Sequence, residues 1–218
     1  MGEFLAVSAL HHRDVPEAVD AIHAYLASFD VQSLVASGEP VDARRDALLF
    51  RSTNDWTVVL WPYYFTTCDI PACVSISAAL RAIVSTIHVH DDDYWTHLLM
   101  QDGRILDRFC SYPTMFVETP EEQQDIRVRW RGNAQQIGNL LSVPAARIEP
   151  YLRQMDAAHP LPPTRVFNDD QFTLDNFWVF VDFWRQLGIS YPADLAAMDA
   201  HLRLDANWLD KLPQEDEL

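Results

Sequence analysis

Apolar positions in the first half of the chain fall in short runs broken by turn residues, the pattern of strands, with two stretches at helical spacing among them. Phe4–Leu10 reads as a strand. Asp14-Val15-Pro16-Glu17 has the form of a helix start, an acidic N-cap with a glutamate three residues on. Val15, Val19, Ile22, Tyr25, Leu26 and Phe29 then follow on one helical face. Ala47–Arg51 and Trp56–Trp61 read as paired strands joined through Ser52-Thr53-Asn54-Asp55. Ser75–Ile83 reads as a second helix. Val84–His90, Tyr94–Met100 and Arg104–Cys110 read as a meander that turns at the aspartates and again at Asp102-Gly103. The order β-α-β-β-α-β-β-β predicts an α+β fold over residues 1–118: a ferredoxin-like antiparallel sheet with two helices on one face, lengthened by two strands.

Residues 119–218 carry no convincing strand pattern and are expected to form an all-helical extension packed on the first domain. Glu118 to Asp125 reads as a polar connector, Asn133 and Gln136 as the start of a helix ending near Leu141, and Ser142-Val143-Pro144 as the start of another reaching Met155. His159 to Pro163 holds three prolines in five residues and reads as a stiff linker. Thr173–Leu187 is the strongest helical pattern, with Leu174, Phe177, Trp178, Val181, Trp184 and Leu187 on one stripe, widened by Phe180 and Phe183. Only Asp175, Asp182 and Gln186 remain as a polar line. So wide an apolar face has to be covered, by the sheet and neighbouring helices or by another chain. Gly188 supplies the stop, and Gln214-Glu215-Asp216-Glu217 reads as a frayed acidic tail.

Charge narrows the partners. Thirty-two acidic against 16 basic side chains give a formal charge of −16, a field that repels phosphate backbones and anionic membranes and favours basic partners. It is spread evenly: residues 1–120 hold 16 acids and 7 bases, residues 121–218 hold 16 and 9. No stretch approaches the roughly 18–20 apolar residues that span a bilayer, and Met1 to Leu10 has no basic leader region. Cys68, Cys73 and Cys110 form no CxxC and cannot all pair, which suits a reducing cytoplasm. A cytoplasmic location without nucleic acid or membrane as partner is therefore expected.

The densest chemistry lies in His88-Val89-His90-Asp91-Asp92-Asp93-Tyr94-Trp95-Thr96-His97. With Asp92-Asp93 as a two-residue turn, His90 faces Trp95, His88 faces His97, and the second turn sets His97 across from Arg108. Ile87, Val89, Leu98, Met100, Ile105 and Phe109 then collect on a core face, and the histidines, Trp95, Leu106 and Arg108 on the other. A three-residue turn instead sends His97 away from His88. On the first register His88, His90 and His97 are a candidate Zn²⁺ set with Asp92 or water as fourth ligand, although Arg108 opposes a cation. The same surface, His90, Asp91, Asp92, Asp93, Trp95 and Arg108, is a candidate patch for a basic partner protein. The histidines also fit simple half-exposed sheet positions.

No GxSxG, P-loop or GxGxxG occurs, and no cofactor is expected beyond the Zn²⁺ alternative. The expected function is a non-enzymatic cytoplasmic protein-binding module, for instance an inhibitor or immunity-type protein for a basic partner. The alternative is a metal-dependent hydrolase using His88, His90 and His97.

Overall fold

A computed structural model describes residues 4–36, 38–51 and 54–214. The elements are β1 (Leu5–His11), α1 (Val15–Ala27), β2 (Ser33–Val35), β3 (Asp46–Arg51), β4 (Trp56–Leu60), α2 (Asp69–Leu80), β5 (Ile83–His90), β6 (Tyr94–Gln101) and β7 (Arg104–Cys110). They are followed by α3 (Pro120–Arg129), α4 (Ala134–Leu141), α5 (Ala145–Ile148), α6 (Val179–Gln186), β8 (Ala200–Leu204) and α7 (Trp208–Lys211). The eight strands form one sheet in the order β2-β8-β3-β4-β1-β5-β6-β7, with every neighbouring pair antiparallel.

This overturns the ferredoxin-like expectation of a small sheet covered on one face and followed by an all-helical extension. Residues 119–218 contribute a strand of their own, since β8 lies between β2 and β3. The reason for the larger architecture is visible in single strands. Ala6–Leu10 of β1 and Tyr94–Met100 of β6 are buried at every position, so both sheet faces need a cover. Leu10, Ile22, Leu26, Ile76, Leu98 and Met100 share one core, roofed by α1 and α2. Val7, Ile87, Val89, Trp95, Leu99 and Phe109 share the other with Ile137, Ile148, Tyr151, Phe180, Phe183 and Trp184.

The wide apolar face expected over Thr173–Leu187 is thus covered inside the chain. The α-helix itself is shorter, Val179–Gln186. Asp182, expected on its polar line, is fully buried and accepts the backbone N–H groups of Gln171 and Phe172 at 2.8–3.0 Å. Helix starts follow their caps: Asp14 accepts from Glu17 N, Asn133 from Gln136 N, and Thr119 from Glu122 N. The last of these makes α3 of the segment expected as a polar connector. The second helix begins at Asp69, six residues earlier than Ser75.

Of the turn expected at Ser52–Asp55, Ser52 and Thr53 lie outside the described residues, as do Glu215, Asp216 and Glu217 of the expected acidic tail. No helix among the described residues is long and apolar enough to cross a membrane. The edge strand β7 is closed by Cys110 N to Trp130 O (3.0 Å), Gly132 N to Arg108 O (2.8 Å) and Gln136 Nε2 to Leu106 O (3.0 Å), which shields it from pairing with another chain.

Candidate functional site

The two turns of the meander set the geometry of the site. Asp102-Gly103, with φ of 51° and 75°, is a two-residue turn of the type that matches strand twist, and it pairs Gln101 with Arg104 and Met100 with Ile105 as expected. The first turn holds three residues. Asp91 and Asp92 sit at φ of 49° and 63°, a conformation aspartate tolerates better than most residues, and His90 pairs with Tyr94. His88 therefore pairs with Thr96, and Ile87 with His97. A bulge at Leu99/Met100 further sets His97 opposite Phe109 rather than Arg108.

The Zn²⁺ set is taken apart by this register. His88 and His90 point to the α1/α2 face, and His97 to the opposite face, where Phe183 meets its ring edge-on at 4.9 Å. No group of three or more His, Cys, Asp or Glu among the described residues is placed to hold a metal ion. His97 is fully buried; Ser85 Oγ lies 3.0 Å from its Nε2 and also accepts from Trp184 Nε1 at 3.0 Å. Burial drops its pKa to about 3, so it is a neutral core residue.

The expected partner patch divides in the same way. Trp95 is 2% exposed under α6 and faces away from His90. Arg108 shares the His90 face, but its guanidinium lies over Trp130 at 5.7 Å and lines a separate cleft of about 220 Å³ with Arg129 and Arg131. His90 remains, at the head of the exposed Asp91–Asp93 turn.

Around His90 the structure assembles rings that no sequence spacing brings together. On the α1/α2 face the end of β5 and the start of β6 present His88, beside Asp69 at the first residue of α2, and then His90 and Tyr94. Phe4 before β1, the Tyr64–Thr67 segment before α2, and Phe116-Val117 after β7 close in around them. They enclose a cleft of about 510 Å³ lined by Phe4, Tyr64, His88, His90, Tyr94 and Phe116, among others. His90 stacks on Tyr94 with centroids 5.2 Å apart and meets Phe4 and Phe116 edge-on at 4.9 and 5.9 Å. Phe116 is 70% exposed and Tyr64 45%. Rings this open gain area when a ligand covers them.

Beneath the rings lies a buried polar chain. Trp61 Nε1 donates to Ser8 Oγ (2.8 Å), Ser8 Oγ lies 2.9 Å from Thr86 Oγ1 and 3.1 Å from Cys73 Sγ, and Thr86 Oγ1 donates to Asp69 Oδ2 (2.8 Å). His88 Nε2 binds the same Asp69 oxygen. Asp69 is fully buried in the first turn of α2, where the helix N-terminus favours its charge, and the one basic side chain against it among the described residues is His88. Two atoms of this polar network have no hydrogen-bond partner among the described residues, Asp69 Oδ1 and His88 Nδ1. An unpaired buried polar atom costs about 1–3 kcal/mol. Cys73 and Cys110 take no part as nucleophiles: burial raises both, Cys110 to about 12, so they stay thiols.

Phe4, Tyr64, Phe116 and Asp69 escaped the sequence reading. The aromatic triplet Tyr63-Tyr64-Phe65 after Pro62 and the apolar Met115-Phe116-Val117 within a loop were the available signals. Compared with protein-family models, curated proteins and solved structures, the chain matches none of them.

Proposed function

We propose that the protein is a non-enzymatic binding module that takes a basic segment of another protein into the aromatic cleft, in the manner of an inhibitor or immunity-type protein. The observation that carries this reading is the set of open rings, Tyr64 and Phe116 above all, beside the Asp91–Asp93 turn on a chain of formal charge −16. Aromatic faces attract cations, and an acidic surround draws them in and speeds their encounter. Three buried free cysteines are in keeping with work in the cytoplasm.

The test uses fluorescein-labelled ten-residue peptides that differ only in carrying three arginines or three glutamates. Fluorescence anisotropy at 0.15 M salt should show the basic peptide bound and the acidic one not. Phe116→Ala and Tyr64→Ala should each weaken binding about tenfold, roughly 1.4 kcal/mol, with unchanged thermal stability. Charge alone would attract any polycation. Equal affinity of both variants and the natural protein would therefore refute the cleft as the site.

A further inference from the structure

We infer that the cleft is built around one guanidinium group, an arginine side chain whose N–H is received by His88 Nδ1 while its plane lies among the rings of His90, Tyr94 and Phe116; this rests on the binding reading above. Direction in the buried chain carries the argument. Asp69 Oδ2 accepts from Thr86 and is bound by His88 Nε2. A carboxylate has only acceptors to offer, so the proton of that contact sits on Nε2. In neutral imidazole the other nitrogen is then a bare acceptor. His88 is 2% exposed, its Nδ1 has no partner among the described residues, and the residue is among those that line the cleft.

The charge balance points the same way. Asp69 is a fully buried carboxylate with no lysine or arginine against it among the described residues. An anion at the same point would require a doubly protonated His88 and would have to enter past the Asp91–Asp93 turn. Guanidinium suits the walls because it is planar and stacks on rings while donating from its edge. The buried serine, threonine, aspartate and histidine, costly in a core, are thereby explained as the support that fixes one acceptor at the cleft floor.

The experiment is a titration of the full-length protein, ¹⁵N-labelled at histidine, at pH 7.5. Long-range ¹H–¹⁵N spectra are followed on adding N-acetyl-arginine amide, or its citrulline, norleucine and glutamate counterparts. His88→Gln, which keeps a donor toward Asp69, assigns the signals. The free protein should show Nε2 protonated and Nδ1 bare. Arginine amide should move the Nδ1 signal in the direction of an accepted hydrogen bond, and norleucine amide should leave it in place. The variant should bind the basic peptide at least tenfold more weakly.

A shift with glutamate amide and none with arginine amide would overturn the inference, as would citrulline amide binding as well as arginine amide. If the basic peptide binds through Phe116 while the His88 ring signals stay fixed, the arginine anchor is wrong and the binding reading stands. If neither peptide nor amide binds, both fail.

Discussion

His97 offers a quantitative test of the two-faced sheet. In the folded chain it is enclosed by Phe183, Ser85 and Trp184, and its pKa falls from 6.5 to about 3 through burial. The unfolded chain therefore binds a proton below pH 6.5 that the folded chain refuses, so stability is lost as pH falls from 6.5 toward 3. With 1.36 kcal/mol per pKa unit, the loss from this residue is negligible at pH 7.5, about 2 kcal/mol at pH 5 and about 4 kcal/mol once pH reaches 3. His97→Gln keeps a polar group beside Ser85 and removes the titration. Urea unfolding of both proteins at pH 7.5, 6 and 5 gives the comparison, because the other titrating groups are common to both and cancel. The substitution costs stability at pH 7.5 through lost packing on Phe183. The gap between the two proteins should then narrow by about 2 kcal/mol on going to pH 5. A gap independent of pH would mean that His97 reaches water, and would refute its placement beneath α6.

Other substitutions test other parts of the structure. Trp95→Ala, at a position 2% exposed against Phe109 and Phe183, should lower unfolding free energy by about 3–5 kcal/mol rather than act on a surface patch, as denaturant titration will show. Gly138→Ala reverses the usual helix preference: a Cβ there would lie 2.4 Å from Val143 O, so a loss of about 1–3 kcal/mol is expected where an open helix would gain about 1. Asp107 is 6% exposed, with one carboxylate oxygen unpaired among the described residues, and burial raises its pKa to about 6. Its folded form holds the proton more tightly than the unfolded form, so the charged group costs stability above pH 6 and the cost fades as pH falls toward 4. Asp107→Asn should accordingly stabilise the protein by about 1–3 kcal/mol at pH 7.5 and by no more than about 0.5 kcal/mol at pH 4 in the same assay.

What the sequence revealed depended on whether local chemistry or tertiary packing decided the outcome. Caps at Asp14 and Asn133 work within three residues, and both helices start where those residues stand. Asp102-Gly103 likewise set the pairs nearest its turn, until the bulge at Leu99/Met100 shifted the rest. Three consecutive aspartates leave the first turn ambiguous between two and three residues, and a two-residue turn follows only on the assumption of one apolar face. That assumption fails in a sheet covered on both sides: Ile87 and Val89 enter one core, Leu98 and Met100 the other, and alternation no longer indicates register. β8 was hidden for a related reason. His201 and Arg203 look solvated in sequence, yet both pair with the buried Asp46, at 2.6 and 2.8 Å. The cleft was the least legible part, since Phe4, Tyr64, His90 and Phe116 come from four separate segments that only the fold brings together.

The most direct test of the central claim is to locate a basic ligand on the protein. Aromatic ¹H–¹³C spectra recorded while the three-arginine peptide is added should show the ring signals of Phe4, Tyr64, Tyr94 and Phe116 moving together and saturably. Those of Trp178 and Tyr191, on the far side of the sheet, should stay in place. Movement centred elsewhere, or small shifts spread over the whole acidic surface, would contradict the assignment of the cleft as the binding site.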